Sequence, residues 1–313
     1  MNVSIIICAY NEEEKISRSI DSVRAQTHSD WELWIIDDGS TDNTAKIVEQ
    51  YKNNDERIHL YSQENQGLSS ARKSGIRCAT GEYLTFIDAD DYVGEQYLEH
   101  LLEGQKLYPD VNCIIGGYKS TKAYSHPHSK DFCIFPTLLA IEHPSHFYMI
   151  WSKLWKTSFM KEYVDLIPEN LNFSEDDVTM YLLYPHLINI AFVPYTDYYY
   201  IRQANRMSTK VVPIDEVLHI YNIVISALQH PFWDNSIKGK LLQSNALLWA
   251  IGKIIQNPTN QQTPKEYIKQ LPTLKRPKIS HFRAYNAVVF FVHLLFSLKC
   301  YSLLLYLLRK RLS

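Results

Sequence analysis

The fold of this protein is decided by residues 3–42, VSIIICAYNEEEKISRSIDSVRAQTHSDWELWIIDDGSTD. Residues 3–9 are short and apolar, residues 12–26 carry apolar side chains at helical spacing, and residues 31–36 form a second apolar run. A strand, a helix and a second strand in this order make a βαβ unit, whose parallel strands are buried between helices. The opening stretch therefore predicts an α/β protein.

The same alternation continues to about residue 91. It predicts helices at residues 44–51 and 68–79 and strands at residues 58–61 and 83–87. Further along, the pattern predicts helices at residues 95–108 and 177–184, strands at 112–116 and 198–202, and only helices after residue 214. Residues 258–278 are polar and carry four prolines, which favours a linker with a short helix at most.

Composition excludes several classes of protein. A hydrophobic fraction of 46% with 21% charged residues is that of a globular chain and too apolar for a disordered one. The net charge of −2 lacks the basic surplus of a nucleic-acid-binding protein, so no nucleic-acid partner is expected. The five cysteines are scattered, which disfavours a disulfide framework or a zinc ribbon. The first residues run directly into a strand, as in a cytoplasmic protein without a signal peptide.

Polar clusters follow three of the predicted strands, at residues 10–13, 37–42 and 88–91. In a parallel sheet these strand ends lie along one edge, where ligands bind. Carboxylates brought so close repel one another unless a cation lies among them. Oxygen ligands without His or Cys indicate Mg²⁺ or Mn²⁺, which commonly bridge to phosphates. Each cluster alone also fits a turn or a helix cap.

These motifs, in their order along the chain, resemble those of family 2 glycosyltransferases of the GT-A fold. The similar segments are residues 8–12, 36–42, 65–72, 81–84, 88–91, 151–155, 174–177 and 198–202. The resemblance implies a GT-A catalytic domain over residues 1–210, a mostly parallel sheet between helices, followed by a helical extension over residues 211–313. It implies transfer of a sugar from a nucleotide diphosphate donor, with a UDP-sugar expected, to an acceptor hydroxyl on a glycan or lipid-linked glycan.

The family's residue roles carry over by resemblance to the nucleotide and metal sites. Asp38 would accept hydrogen bonds from the nucleoside, and Arg72 would lie near the nucleotide. Asp88 would contact the ribose or the water shell of the metal, and Asp90 would bind the Mg²⁺ or Mn²⁺ directly. Asp91 is a weaker candidate ligand than Asp90, since a third adjacent acid can simply cap the following helix. The remaining residues expected to line the donor pocket are Ala9, Tyr10, Asn11, Glu12 and Ala89.

The resemblance also implies a catalytic base separate from the metal motif. Asp176 is the expected base, with Glu175 and Asp177 as neighbouring candidates, and a single base attacking in line would invert the anomeric centre. The acids at residues 175–177 also fit the first turn of a helix, where the helix dipole favours negative charge. Trp151, Lys153 and Trp155 are either acceptor contacts or core residues.

Two other functions fit part of the pattern. A sugar-nucleotide nucleotidyltransferase shares the metal and the nucleotide, but residues 11–14 are acidic where such an enzyme would carry a glycine-rich, basic loop. A catalytically dead sugar-nucleotide-binding or scaffold protein is the second alternative, and the intact acids disfavour it.

The end of the chain is basic and apolar. Residues 287–308 are strongly apolar, and basic residues flank them on both sides. The length permits a membrane span, but His293 and Lys299 oppose one. The expectation is a peripheral helix on the inner face of the membrane, with a span or packing on the catalytic domain as alternatives.

Overall fold

The computed structural model describes residues 1–120, 131–137, 149–171, 173–201, 211–234, 237–256, 263–272, 292, 294–302 and 304. The chain forms two compact units, Met1–Ala204 and Asn205–Ser313.

The first unit is built on an eight-stranded sheet with the strand order β3-β2-β1-β4-β9-β6-β10-β8. Its strands are β1 (Val3–Ala9), β2 (Trp31–Asp37), β3 (Ile58–Ser62), β4 (Tyr83–Phe86), β6 (Cys113–Ile115), β8 (Cys133–Pro136), β9 (Lys153–Lys156) and β10 (Asn189–Phe192). The first four are parallel to one another, while β9 runs antiparallel to both of its neighbours, β4 and β6. Strands β6 and β10 are parallel, and β8 is antiparallel to β10. The expected α/β class with a mainly parallel sheet is therefore confirmed.

A smaller sheet orders its strands β5-β11-β7, with β5 (Tyr92–Val93), β7 (Tyr118–Ser120) and β11 (Tyr198–Tyr200). Strand β5 follows the acidic residues 88–91 directly and pairs with β11, Tyr198 lying opposite Val93. The acidic segment therefore passes from the large sheet to the small one.

Helices of the first unit follow the strands as the sequence predicts, except that the helix at Thr157–Tyr163 is not predicted by it. They are α1 (Ile16–Arg24), α2 (Thr44–Asn54), α3 (Leu68–Cys78), α4 (Tyr97–Leu107), α5 (Thr157–Tyr163) and α6 (Glu175–Leu183), with short 3-10 turns at Val164–Leu166 and Tyr184–His186. The apolar face of α1 buries Ile16, Ile20 and Val23 completely. This helix begins four residues later than its hydrophobic periodicity predicts, because residues 11–13 are held by residues 40–44.

The sequence did not predict strands β5, β7, β8, β9 and β10. Strand β9 lies between β4 and β6, where Trp155 is opposite both Leu84 and Cys113. Its antiparallel insertion closes the parallel half of the sheet and brings a later segment of the chain against the core.

The second unit is helical where it is described. It contains α7 (Ile214–Ala227), α8 (Pro231–Asp234), α9 (Ile237–Gln256) and α10 (Pro264–Gln270). Helix α9 packs against α7 and α8. Helix α10 lies within the stretch predicted as a linker with a short helix, and Thr263 with Glu266 forms a capping box at its start.

Among the described residues, no helix is both long and apolar enough to cross a bilayer. Most of the apolar segment 287–308 lies outside the described residues. The expectation of a peripheral membrane helix is therefore still a prediction.

Candidate active site

The carboxyl ends of β1 and β2 meet at the edge of the large sheet. Ala9 is buried, and its carbonyl accepts a hydrogen bond of 2.9 Å from the backbone N–H of Asp38. Burial, together with the nearby charges of Asp88 and Asp38, raises the pKa of the Cys8 thiol to about 12, against the opposing effect of Arg72. The end of β1 thus lies among the acidic residues contributed by β2 and by the segment after β4.

The loop after β1 is joined to the loop after β2. Asn11 has a φ of 56° and accepts a 2.8 Å hydrogen bond from the Thr41 backbone N–H at its side-chain oxygen. The Glu12 backbone N–H donates to Thr44 Oγ1 at 2.8 Å. Burial raises the pKa of the Glu12 carboxyl, although Lys15 bonds to it. Tyr10 is 46% exposed, so its ring is available to a ligand at this edge.

Asp38 is buried, and three donors of the following segment hold its carboxylate. Gln63 Nε2 donates to Oδ1 at 2.7 Å, and the backbone N–H groups of Gln66 and Gly67 donate at 3.0 and 2.9 Å. Gly39 next to it has a φ of 76°, and a Cβ there would lie 2.8 Å from the Asn65 nitrogen. This close approach requires glycine. Asp38 therefore fixes the loop that begins α3.

The acids after β4 form a compact cluster. One carboxylate oxygen from each of Asp88, Asp90 and Asp91 lies within 4.8 Å of the others. Asp88 and Asp90 are partly exposed, and Ala89 between them is buried. Burial raises the pKa of Asp88 to about 8, with repulsion from Asp176 and Asp90 adding to it while Arg72 opposes it.

Asp91 does not cap a helix. Its carboxylate is fully buried and accepts hydrogen bonds from the Tyr198 hydroxyl at 2.9 Å and from the Ile201 backbone N–H at 2.7 Å. Burial and the charges of Asp88 and Asp90 raise its pKa to about 8. The helix-cap expectation is wrong because β11 lies beside this segment, and Tyr198 of β11 and Ile201 directly after it supply the two donors.

Arg72 on α3 joins the acidic cluster to α6. Its guanidinium is 3% exposed, donates to Asp176 Oδ1, and lies 3.2 Å from Glu175 Oε1 and 3.5 Å from Asp88 Oδ1. Burial opposes its charge, yet the three carboxylates together raise the pKa of the guanidinium. The structure therefore brings together three of the expected site residues, Arg72, Asp88 and Asp176.

The first turn of α6 holds three acids in different surroundings. Burial raises the pKa of Glu175 to about 7, with the nearby Arg72 opposing and Asp176 adding to the rise. Burial, and to a smaller extent repulsion from Asp176, raises the pKa of Asp177 to about 7. Asp176 is 21% exposed. Of the three acids that contact the Arg72 guanidinium, Asp176 lies nearest to it. This acid combines an ion-pair partner with access to a ligand.

Helix α3 also fixes the chain before α6. The backbone N–H groups of Asn170 and Leu171 donate to Ser70 Oγ and Ser69 Oγ at 3.0 and 2.9 Å. Lys73 on the same helix lies 2.9 Å from Glu169. These contacts place the start of α6 beside Arg72.

The aromatic segment at residues 151–155 is buried. Trp151 is 4% exposed, Lys153 1% and Trp155 0%, which favours a core role over direct acceptor contact. Lys153 donates to the Met149 carbonyl, and burial lowers its pKa to about 8. Trp151 stacks on Tyr198 with ring centroids 4.4 Å apart.

Sequence reasoning missed several residues that organise this edge. Gln63 bridges Asp38 and Ser74, whose hydroxyl donates to its carbonyl oxygen at 2.6 Å. Arg18 donates to the Asp90 carbonyl at 2.5 Å from α1. Gln63 could have been found, since it directly follows β3 and so lies at the same edge as the acids. No sequence signal points to Arg18.

The donor set at residues 88–91 fits a hard divalent cation. It offers only carboxylate oxygens, the ligands that Mg²⁺ and Mn²⁺ prefer. With both Asp91 oxygens engaged by protein donors, Asp88 and Asp90 are the residues suited to hold the ion.

Known proteins are similar to this chain in sequence. EpsJ of Bacillus subtilis is named as an uncharacterized glycosyltransferase and is 34% identical over 185 residues, 56% of this chain and 53% of EpsJ. A poly(ribitol-phosphate) beta-glucosyltransferase of Bacillus spizizenii is 29% identical over 248 residues, 77% of this chain and 39% of that protein. The chain thus spans about half or less of these two curated relatives.

A solved structure has the same fold as this chain. The crystal structure of S. aureus TarS residues 1–349 in complex with UDP-GlcNAc superposes with a TM-score of 0.72 at 19% identity, covering 96% of this chain and 89% of that one. The expected GT-A fold is therefore confirmed. The sequence model of the family described as "Glycosyl transferase family 2" matches residues 4–167, more than half of the chain. By this match, and with its acids at the sheet edge where the resemblance expects them, the chain belongs to glycosyl transferase family 2.

Proposed function

We propose that this protein transfers a sugar from a nucleotide diphosphate sugar to an acceptor hydroxyl, with inversion and with a divalent cation. The observation that carries the proposal is the Arg72 guanidinium, which contacts Asp88 of the acidic cluster and Asp176 of α6 together. Because of this shared partner, the expected metal site and the expected base belong to one site. A UDP-sugar is the proposed donor, since TarS, which has the same fold, is described in complex with UDP-GlcNAc.

Asp88 and Asp90 are the proposed holders of Mn²⁺ or Mg²⁺. When bound, such an ion neutralises the charge of a departing diphosphate. The loops at residues 9–12 and 38–44 would bind the nucleoside, since Tyr10 is exposed there and Asp38 holds the backbone of Gln66 and Gly67. Arg72 adds a fixed positive charge beside Asp88, which favours binding of a diphosphate.

Asp176 is the proposed base, which takes the proton of the acceptor hydroxyl as its oxygen attacks the anomeric carbon. Its pairing with Arg72 holds the carboxylate in place. Attack from the face opposite the leaving diphosphate inverts the anomeric centre. The relative named as a beta-glucosyltransferase agrees with this stereochemistry, because inversion of an α-linked donor gives a β-linked product.

The proposed setting is polysaccharide or lipid-linked glycan synthesis, with a glycan or lipid-linked glycan as acceptor. The relative named as acting on poly(ribitol-phosphate) supports a polymeric acceptor. A panel of sugar nucleotides, tested with Mn²⁺ for thermal stabilisation of the protein, would identify the donor, because a ligand of the native state raises the melting temperature.

The variant Asp176→Asn tests the assignment of the base. We expect donor binding to be unchanged and transfer to fall by at least 100-fold, since the amide keeps the shape of the side chain and loses its basicity. Binding is measured by calorimetry, and transfer by release of UDP with an acceptor present. Asp177→Asn, which changes the next residue of the same turn, should retain transfer, and a loss of transfer in this variant alone would assign the base to Asp177. Near wild-type transfer by Asp176→Asn would place the base elsewhere, and wild-type protein that neither transfers nor hydrolyses a donor would support the dead-site alternative.

A further inference from the structure

Tyr198 lies on a strand more than 100 residues further along the chain than the acidic cluster. Its hydroxyl contacts one backbone group and one side-chain group of that cluster. Its hydroxyl accepts a hydrogen bond of 3.1 Å from the Asp88 backbone N–H and donates one of 2.9 Å to Asp91 Oδ2. The Ile201 backbone N–H occupies the other oxygen of Asp91 at 2.7 Å. One phenol therefore bridges the first and the last acid of the segment.

Packing fixes the position of this hydroxyl independently of the acids. The Tyr198 ring is 0% exposed and stacks on Trp151 at a centroid distance of 4.4 Å and an angle of 13°. The Tyr97 ring lies in a T-shaped arrangement with the Tyr198 ring, with the ring centroids 6.3 Å apart. The backbone of Tyr198 is paired with Val93 of β5 and with Tyr118 of β7. The acids can thus adjust to the phenol, while the phenol has little freedom to follow the acids.

The cluster needs such a support for an electrostatic reason. The carboxylate oxygens of Asp88, Asp90 and Asp91 lie within 4.8 Å of one another, a separation at which like charges repel. Asp91 is fully buried and has a protein donor at each oxygen, whereas Asp88 and Asp90 are partly exposed. The hydrogen bonds from Tyr198 and Ile201 separate one acid of the three from the two that remain accessible.

We propose that Tyr198 is a positioning residue of the cation site, which keeps Asp91 out of the ligand set and fixes the Asp88 backbone relative to Asp91. This inference rests on the proposed metal dependence. It assigns Asp91 a structural task and makes the geometry of the cation site depend on strand β11. Residues that orient metal ligands commonly change metal affinity by about 10- to 100-fold when they are replaced.

The test is a titration of the full chain with Mn²⁺ in the presence of UDP, in which electron paramagnetic resonance follows the free ion. We expect Tyr198→Phe to weaken Mn²⁺ binding by about 10- to 100-fold and to leave UDP binding in EDTA unchanged. Tyr97→Phe is the matched control, since Tyr97 is also buried and its hydroxyl bonds to Thr85 at 2.8 Å, away from the acids. It should bind Mn²⁺ as the wild type does.

Two acid variants complete the test. Asp90→Asn should abolish Mn²⁺ binding, whereas Asp91→Asn should weaken it only to the extent that Tyr198→Phe does. Wild-type affinity in Tyr198→Phe, or an Asp91→Asn variant as defective as Asp90→Asn, would overturn the proposal. If Tyr198→Phe does not fold, the comparison of the two acid variants decides. Absence of Mn²⁺ binding by the wild type would instead refute the proposed metal dependence, and this inference with it.

Discussion

Arg72 brings together acids from two segments that lie far apart in the chain. Its nitrogen atoms lie within 3.5 Å of one carboxylate that precedes β5, that of Asp88, and of two that begin α6, and the side chain is almost completely buried. A buried charge is tolerated when several partners neutralise it, and removal of one partner commonly costs about 3 to 5 kcal/mol. The guanidinium is therefore a structural link between α3 and α6.

The acids around Arg72 make the stability of the metal-free protein depend on pH. The pKa of Asp177 is raised by burial to about 7 from an ordinary value of 3.8. In the unfolded chain this group ionises near 3.8, so folding favours its protonated form, and stability falls as the pH rises from about 4 to about 7. Glu175, Asp88 and Asp91 contribute with the same sign, since their pKa values are also raised.

We expect Asp177→Asn to reduce this loss of stability, because the amide cannot ionise. Urea unfolding at pH 5 and pH 8 in EDTA measures the difference. Between pH 5 and pH 8 the free energy of unfolding of the wild type should fall by on the order of 1 to 2 kcal/mol more than that of the variant. The expected size follows from about 1.4 kcal/mol per pKa unit, reduced by solvent screening. Asp110→Asn, at an exposed position, is the control and should keep the wild-type dependence. An equal loss in Asp177→Asn would show that Asp177 is already ionised at pH 5 in the folded protein and that its pKa is not raised.

Helix α3 lies unusually close to β1, and a glycine makes this approach possible. A Cβ at Gly75 would lie 2.4 Å from Ile6 Cγ2 and 3.4 Å from Ile36 Cγ1. The same helix carries Arg72, so its distance from the sheet sets the position of the guanidinium. The packing of one element thus determines the geometry of the site.

Gly75→Ala should therefore destabilise the protein by about 1 to 3 kcal/mol, because overpacking outweighs the gain in helix propensity. Gly252→Ala is the matched control in the interior of α9, where a Cβ would have no neighbour within 4 Å. It should stabilise the chain by about 0.5 to 1 kcal/mol. Chemical denaturation measures both variants. A stabilised Gly75→Ala variant would mean that α3 can move away from β1 at little cost.

At the scale of the whole molecule, the basic and apolar end of the chain predicts association with anionic membranes. Four Lys and Arg residues lie between residues 275 and 286, directly before the apolar segment 287–308. Near an anionic lipid surface each contributes about 1 kcal/mol to the free energy of membrane binding. Neutralising them to glutamine should weaken binding to anionic vesicles more than tenfold, as measured by flotation. The four residues are Lys275, Arg276, Lys278 and Arg283.

The control changes the same number of charges on exposed helix positions of the first unit, and it should keep the wild-type binding. These positions are Lys46, Lys52, Lys106 and Lys161. High salt should weaken the wild-type association only partly, since the apolar contribution is not screened. Vesicle binding that is equal in both variants would refute an electrostatic attachment through this segment.

Much of the first unit could be predicted from the sequence. The alternation of β1, α1, β2 and α2 follows from hydrophobic periodicity, which reports burial before any partner is known. The acidic residues 88–91 could be placed at the sheet edge for a similar reason, since parallel strands end on the same side. The local sequence pattern is sufficient to predict a residue's environment where that environment depends only on the helix or strand that contains the residue.

Only the tertiary structure decided the contacts between distant segments. The antiparallel pairing of β9 with β4, the bond of Asp91 to Tyr198 of β11, and the pairing of Arg72 with Asp176 each join residues separated by about 70 to 110 positions. The sequence by itself determined the order of elements and the residue types at their ends, because hydrophobic period and turn chemistry are local. It could not determine which acid binds which partner, because that choice depends on long-range packing of rings and helices that no short pattern records.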